Sequence, residues 1–323
     1  MSARLLNNAR SRSISTPSTH RTLLLTFDAF DTLFHPREPV PDQYASTAHE
    51  FGLSRTAITP QKLKAAFKTT FREQASRYPN YGRADVLRGR YGGPKQWWEE
   101  VIRRSFKRTL SEGNGSNIGT DPELPAGFVE ALIDLFAGAR GYTLYDDVAP
   151  FFARMRELKA APKHNRFNQV IVGVVSNSDD RVPAVLKALG LRVGDLRADQ
   201  DISSGELPGF EQRKVRDSNT VLGQIRSDLD LDFVITSYEA GEEKPNRLIF
   251  DVAERQARLL VPGVHVGSGS WTRVHVGDDY GKDYQGAMEA GWQSYLLRRG
   301  DGEERDAKSI SSLMDLINEL EID

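Results

Sequence analysis

The chain has 323 residues, of which 39% are hydrophobic and 27% charged, and its mean hydropathy is −0.49. This composition is typical of a soluble globular protein long enough for two domains, and no apolar stretch approaches the roughly 20 residues of a membrane-spanning helix. A formal charge of −2 offers no excess of positive charge for nucleic acid. The absence of cysteine excludes disulfides and thiolate chemistry and suits an intracellular compartment.

The N-terminus differs from the rest of the chain. Residues 1–27 contain four arginines, several serines and no acidic residue. Such a composition is typical of mitochondrial transit peptides, and also of plain unstructured tails. We therefore expect residues 1–22 to be a disordered or targeting tail. The protein would lie in the mitochondrion in the first case and in the cytoplasm or nucleus in the second.

Five apolar segments predict buried strands. They are β-branched or continuously apolar runs, as expected for a parallel sheet covered by helices on both faces. They span residues 23–27, 169–175, 232–237, 273–276 and 294–297. Helical patterns alternate with them at residues 148–158, 183–189, 245–259 and 312–320. The alternation predicts an α/β fold with a doubly wound, mostly parallel sheet.

One long segment interrupts the alternation. Between the first strand and the helix at 148, more than 100 residues read almost wholly as helix, with helices predicted at 61–75, 96–110 and 126–137. We therefore expect residues 23–36 and 144–323 to form the α/β core. Residues 37–143 would be a helical cap domain inserted into it.

Polar clusters follow four of the predicted strands. Asp28-Ala-Phe-Asp-Thr32 follows the first, Ser176-Asn177-Ser178 the second, a loop ending in Lys244-Pro245 the third, and Gly277-Asp-Asp-Tyr-Gly-Lys-Asp283 the fourth. The carboxyl ends of parallel strands meet at one edge of the sheet, where open α/β folds bind their ligands. A strand-end carboxylate such as Asp28 can act as a nucleophile.

These four clusters, in this order, resemble the motifs of the haloacid dehalogenase-like hydrolase superfamily from residue 23 onward. The flanking segments, such as Lys-Pro-Asn-Arg-Leu-Ile-Phe, and the Trp97-Trp98 pair are similar to its eukaryotic group of haloacid dehalogenase-like hydrolase domain-containing proteins three. The resemblance implies a Rossmann-like core with a helical cap inserted after the first motif. It also implies a hydrolase that acts on a small phosphorylated molecule.

The resemblance also implies roles for particular residues. Asp28 is the nucleophile, Lys244 orients it and neutralises charge, and the Ser176 hydroxyl binds the transferring group. Thr32 is expected to hold the phosphate or the nucleophile loop, and Asn177 to help bind the phosphate. The implied cofactor is Mg²⁺, which prefers oxygen ligands. Its expected ligands are Asp28, the backbone carbonyl of Phe30 and Asp278, with Asp283 in support.

Position 30 departs from the superfamily pattern. Most of its phosphatases carry a second aspartate two residues after the nucleophile, as the general acid and base, where this chain has Phe30. Such a group is typically worth about 10²–10⁴ in rate. Because adjacent side chains of an extended segment point to opposite faces, we expect Asp31 to be a poor substitute.

Three interpretations of the sequence therefore stay open. The favoured one is a Mg²⁺-dependent phosphohydrolase that turns over slowly or acts on a good leaving group. The second is a low-turnover binding or scaffold protein that keeps the fold. The third is a metal-independent 2-haloacid dehalogenase, whose departing halide needs no proton, although the acidic fourth motif argues against it. In the cap, candidates for substrate contact are Arg88, Arg90, Tyr91, Trp97 and Trp98, with the tryptophans more often expected to pack inside the cap.

Overall fold

The computed structural model describes residues 20–113, 123–160, 166–198, 207–210, 226–261, 269–300 and 306–322. Residues 1–19 of the predicted tail lie outside this range, while residues 20–22 already belong to the first strand, β1 (His20–Phe27). Across the described residues, none of the helices combines the length and the apolar character needed to span a membrane.

A seven-stranded, all-parallel sheet forms the core, in the order β5-β6-β4-β1-β7-β8-β9. Its strands are β1, β4 (Gln169–Ser176), β5 (Val193–Leu196), β6 (Leu231–Thr236), β7 (Gly269–Gly277), β8 (Gln293–Leu297) and β9 (Ser309–Ile310). A separate antiparallel pair is formed by β2 (Phe34–Pro36) and β3 (Tyr142–Leu144). The predicted α/β class with a parallel sheet is confirmed.

Helices cover both faces of the sheet because its strands are apolar on both. In β1, Leu23, Leu25 and Phe27 pack into one hydrophobic cluster, while Leu24 packs into the other. The first cluster includes residues of α6 (Val148–Ala160), α7 (Val182–Ala188) and α11 (Asp315–Glu319). The second includes residues of α9 (Arg247–Arg258) and α10 (Gly286–Glu289). A one-turn helix α8 (Ser237–Ala240) follows β6 directly.

Among the described residues between β2 and β3 there are five helices, and we call them the inserted helices. They are α1 (Val40–Glu50), α2 (Pro60–Arg77), α3 (Pro79–Val86), α4 (Pro94–Gly113) and α5 (Phe128–Leu135). Local chemistry starts α2: Pro60 occupies its first turn, and the Thr59 side chain accepts a hydrogen bond from the backbone N–H of Lys62. The inserted helices share the first hydrophobic cluster with the sheet through residues such as Tyr44, Ile102 and Phe128.

A left-handed turn lies within α3. Asn80, Tyr81 and Gly82 all have positive φ, at 46°, 59° and 76°. Consecutive residues in this conformation are unfavourable for side chains with a Cβ, and they persist where surrounding contacts hold them. Here the Asn80 amide donates to the carbonyl of Ser237 at 2.9 Å, and the Ser237 hydroxyl donates to Oδ1 of Asn80 at 2.9 Å. The turn therefore fixes the inserted helices to α8 of the core.

Several predicted boundaries shift in the structure. The strand predicted at 232–237 ends at Thr236, because Ser237 begins α8 with the Thr236 side chain as its N-cap. The helix predicted from 245 begins at Arg247, where the Asn246 side chain caps it by accepting from the N–H of Leu248. The short strands β5 and β9 and the helices α1 and α3 were absent from the prediction.

Candidate active site

The four polar clusters meet at the carboxyl ends of the central strands. Phe27, the last residue of β1, is in register with Val174 of β4 and with Val276 of β7. The clusters that follow the strands therefore lie side by side. The backbone N–H of Asp28 continues this pairing by donating to the carbonyl of Val276 at 2.9 Å. Asp28 is thus held by the most central strand of the sheet.

Lys244 lies between two of the acidic residues. Its ammonium nitrogen is 2.8 Å from Oδ1 of Asp28 and 2.6 Å from Oδ1 of Asp283, and it also donates to the carbonyl of Val175 at 2.7 Å. Burial alone would lower the pKa of Lys244, but the two carboxylates outweigh it and the pKa is raised. The same ammonium and His275 hold the pKa of Asp283 low against its burial. For Asp28, burial raises the pKa more than Lys244 lowers it.

Asp278 completes an acidic group of three. Oxygen atoms of Asp28, Asp278 and Asp283 lie within 4.8 Å of one another. The pKa of Asp278 is raised to about 7 by burial and by the negative charges of Asp28 and Asp283. The buried Thr32 hydroxyl donates to Oδ1 of Asp278 at 3.1 Å. Thr32, which we expected to hold the phosphate or the nucleophile loop, thus contacts Asp278 of the fourth motif.

Asn177 also makes contacts that the sequence did not predict. Its Oδ1 accepts from the backbone N–H of Lys244 at 2.6 Å, and its amide nitrogen donates to the Lys244 carbonyl at 2.9 Å. Both ends of the side chain therefore hold the Lys244 loop. The Ser176 hydroxyl, by contrast, has no hydrogen-bond partner within the described part of the chain. It lines the same cavity as Asp28, as expected for a group that binds substrate.

His275 of β7 is a site residue that sequence reasoning missed. It is fully buried, with Nε2 3.3 Å from Oδ1 of Asp283 and Nδ1 2.9 Å from the Thr26 hydroxyl. Burial lowers the pKa of His275, which favours the neutral ring. Gly277 lets Asp283 approach the strand, since a Cβ at this position would meet the Asp283 side chain. A histidine two residues before Gly277-Asp278, between Val274 and Val276, was the available signal.

The acidic group opens into a cavity of about 400 Å³, which we call the reaction cavity. Its lining includes Asp28, Ser176, Asn177, Lys244, Asp278 and Asp283. Phe30 and Asp31 line it as well. The extended backbone that we assumed at Asp31 is wrong, because the backbone there is left-handed, with φ 55°. The Phe30 ring packs edge-on against Phe34 and Tyr142, with centroids 4.7 and 5.7 Å away.

The five candidates for substrate contact lie in different surroundings. Trp98 lines the reaction cavity and donates its indole N–H to Oδ2 of Asp179 at 2.8 Å. Trp97 and Tyr91 are buried among the inserted helices in a small hydrophobic cluster. Arg88 and Arg90 are exposed and pair with Asp85. Among the five candidates, only Trp98 reaches the cavity.

Comparisons with known proteins find similar hydrolases. The family model described as HAD-hydrolase-like matches residues 242–319, which include Lys244, Asp278 and Asp283. The human haloacid dehalogenase-like hydrolase domain-containing protein 3 is 28% identical over 276 residues, covering 85% of this chain and 81% of that protein. In sequence, the chain is thus similar to haloacid dehalogenase-like hydrolases.

Two other proteins are similar over a comparable length. An uncharacterized protein of Saccharomyces cerevisiae is 28% identical over 315 residues, covering 94% of this chain and 80% of that protein. The crystal structure of a 2-haloacid dehalogenase from Pseudomonas syringae superposes with a TM-score of 0.50 at 17% identity, covering 93% of this chain and 98% of that one. At this identity the superposition shows a shared fold alone.

Proposed function

We propose that the protein is a Mg²⁺-dependent phosphohydrolase that transfers the phosphoryl group of a small metabolite to Asp28 and then to water. The observation that carries the proposal is the position of Lys244 between Asp28 and Asp283, with Asp278 beside them. When all three carboxylates are ionised, the single ammonium leaves two negative charges unbalanced. One divalent cation would balance them.

The donor set fits Mg²⁺. The candidate ligands are oxygen atoms of Asp28 and Asp278 and the carbonyl of Phe30, and Mg²⁺ prefers oxygen ligands. Burial and the acidic neighbours raise the pKa of Asp278 to about 7, so its ionised form is disfavoured. A bound cation would stabilise that ionised form. Asp283 would act in support, since Lys244 and His275 already contact it. When bound, Mg²⁺ would offset negative charge on the phosphoryl oxygens.

The residues of the chain account for the covalent steps. An oxygen of Asp28 attacks phosphorus, and the bond from phosphorus to the leaving-group oxygen breaks with its electron pair on that oxygen. Water then attacks phosphorus, which releases inorganic phosphate and restores the Asp28 carboxylate. Lys244 keeps the carboxylate oriented through its 2.8 Å hydrogen bond. The Ser176 hydroxyl, which lines the reaction cavity, is suited to donate to a phosphoryl oxygen.

Phe30 favours a second candidate function, that of a binding protein with low turnover. The ring is held by Phe34 and Tyr142 and cannot transfer a proton. The reaction would then be slow for leaving groups that need protonation. The metal-independent dehalogenase is less favoured, because it provides no reason to gather Asp278 and Asp283 beside Asp28.

Hydrolysis of acetyl phosphate and p-nitrophenyl phosphate, with and without Mg²⁺, tests the proposal. We expect Mg²⁺-dependent release of phosphate that Asp28→Asn abolishes. Asp251→Asn, at an exposed pair on α9, serves as the matched control and should retain activity. No turnover of either compound would favour the low-turnover binding protein. Halide release from 2-chloropropionate without metal would favour the dehalogenase.

A further inference from the structure

A second cavity continues from the reaction cavity into the inserted helices. Its volume is about 410 Å³, within the range of small-molecule sites. We call it the apolar chamber; its inner wall is formed by Tyr44, Phe67, Ile102, Leu132 and Ile133. The two cavities share Phe30, Asp31, Phe71, Trp98, Phe136, Tyr142 and Arg181 as lining residues. A ligand that places its phosphate beside Asp28 therefore has the apolar chamber as its neighbouring volume.

Within the described residues, Arg181 is the only cation that lines the apolar chamber. Its positive charge is already paired with a carboxylate, because Nε and Nη2 donate to the two oxygens of Asp179 at 2.9 and 2.8 Å. The Trp98 ring, 5.0 Å from the guanidinium carbon, covers the same group. Asp179 also keeps the pKa of Arg181 raised against its burial. The pair contributes no free positive charge for a second anionic group on the ligand.

Two tyrosine hydroxyls add polarity without charge. Tyr44 and Tyr142 are 3% and 7% exposed, and both line the apolar chamber. Within the described part of the chain, neither hydroxyl makes a hydrogen bond. Buried hydroxyls normally have a partner, so these two are available to a ligand. Burial raises the pKa of Tyr142 to about 12, which keeps its hydroxyl protonated and able to donate.

We propose that the leaving group of the substrate is an uncharged, largely apolar, ring-bearing alcohol or phenol that occupies the apolar chamber. The proposal rests on the phosphohydrolase function above and names the class of its substrate: a monophosphate without a second anionic group. Phe30, Phe71 and Phe136 border both cavities and would contact the ring next to the phosphate. The hydroxyls of Tyr44 and Tyr142 would hydrogen-bond its polar substituents.

Binding of 2-naphthol to the metal-free protein tests the apolar chamber without catalysis. Isothermal titration calorimetry should detect saturable 1:1 binding of this phosphate-free leaving group. The carboxylated analogue, 6-hydroxy-2-naphthoic acid, should bind at least about tenfold more weakly, a difference of about 1.4 kcal/mol. Absence of 2-naphthol binding, or tighter binding of the carboxylate, would overturn the proposal.

Two variants locate this binding. Ile133→Phe adds volume to the inner wall and should weaken 2-naphthol binding about tenfold, with thermal melting as the check that the variant folds. Phe71→Ser removes a ring that is 37% exposed, so it carries less risk to folding, and should also weaken binding. Leu248→Ser is its matched control, since Leu248 is 41% exposed and lies on α9, outside both cavities. Equal effects of Phe71→Ser and Leu248→Ser would contradict the assignment.

A kinetic comparison separates this proposal from the phosphohydrolase function. Phenyl and 2-naphthyl phosphate have leaving groups of similar acidity but different size, and we expect the larger to show a KM several-fold lower. If acetyl phosphate is hydrolysed but the two aryl phosphates have equal KM values, the leaving-group proposal fails while the phosphohydrolase function stands. If no phosphate is hydrolysed while 2-naphthol still binds, the phosphohydrolase function fails and the apolar chamber stands as a binding site.

Discussion

Lys244 Nζ lies 2.8 Å from Oδ1 of Asp28, and this contact is one of three that the ammonium makes. The others are to Asp283 and to the carbonyl of Val175, so all three N–H bonds have an acceptor. Because all three of its N–H bonds are occupied, the ammonium influences the site by positioning the carboxylates of Asp28 and Asp283. The consequences of this arrangement, and of its neighbours, can be measured.

Replacing Lys244 with methionine should destabilise the protein strongly. Asp28 and Asp283 would stay buried without their counter-charge, which typically costs about 3–5 kcal/mol of unfolding free energy. Guanidinium denaturation measures the loss. Lys187→Met is the matched control, because its pair with Asp195 is exposed and should be worth no more than about 1 kcal/mol. If the two variants lost similar unfolding free energy, Lys244 would not be the counter-charge that stabilises Asp28 and Asp283.

The raised pKa of Asp278 predicts a pH dependence of stability. The folded state binds this proton with a pKa of about 7, against the usual 3.8. The resulting stabilisation is fully present below pH 3.8 and is lost as the pH rises through 7. In EDTA, melting temperatures of the unaltered protein should therefore fall over this range relative to those of Asp278→Asn. Parallel curves for the two proteins would contradict the assignment.

Added Mg²⁺ should reverse that trend. Because the metal competes with the proton on Asp278, its apparent Kd should rise about tenfold for each pH unit below 7. Thermal shift at a series of Mg²⁺ concentrations between pH 5.5 and 8 measures the effect. Asp278→Asn should abolish the pH dependence together with most of the shift. A Mg²⁺ affinity that is flat across this range would exclude Asp278 as a ligand.

Restoring a carboxyl at position 30 should reduce the dependence of the rate on the leaving group. Phe30→Asp and Phe30→Asn lose the same contacts with Phe34 and Tyr142, but only the first can donate a proton. We expect Phe30→Asp to exceed Phe30→Asn on phenyl phosphate by a factor of up to about 10². Acetyl phosphate, with its good leaving group, should show little difference. Asp31→Asn should be assayed in parallel, because this carboxyl also lines the reaction cavity.

The contacts of Asn80 should control the attachment of the inserted helices to the core. Asn80→Ala removes its hydrogen bonds with Ser237 and Gly241 from a turn whose left-handed backbone needs support. Hydrogen exchange of the α3 amides should become at least about tenfold faster, consistent with the loss of a hydrogen bond worth about 1 kcal/mol or more. Asn318→Ala, in the C-terminal helix α11, is a control that should leave α3 unchanged. Unchanged exchange in Asn80→Ala would show that other contacts hold the turn.

The parallel core was predictable because its signals are local and strong. The run from Leu23 to Phe27 is apolar at nearly every position, and such strands are buried on both faces wherever they occur. The short strands β5 and β9 carry too few residues to show a period. They form because β6 and β8 offer them a sheet edge, which is tertiary information.

The composition of the candidate site was predictable, and its internal contacts were not. Strand ends bring Asp28, Ser176 and Asp278 together in any fold of this class. The sequence could not reveal that Thr32 donates to Asp278 or that Asn177 holds the Lys244 backbone, since such pairings join residues tens to hundreds of positions apart. The error about Asp31 has a local cause: an extended backbone was assumed where φ is 55°.

The acidic site and the apolar chamber are built from different parts of the fold, and this has a consequence for how the binding specificity of such a protein can change. Asp28, which we propose as the nucleophile, and its neighbours Lys244, Asp278 and Asp283 all follow strands of the core sheet, whereas the inner wall of the apolar chamber comes from α1, α2, α4 and α5. Substitutions in those four helices can alter which molecule is accepted and leave the chemistry in place. New specificities are therefore accessible to evolution, or to a protein engineer, through residues whose loss would not dismantle the reaction.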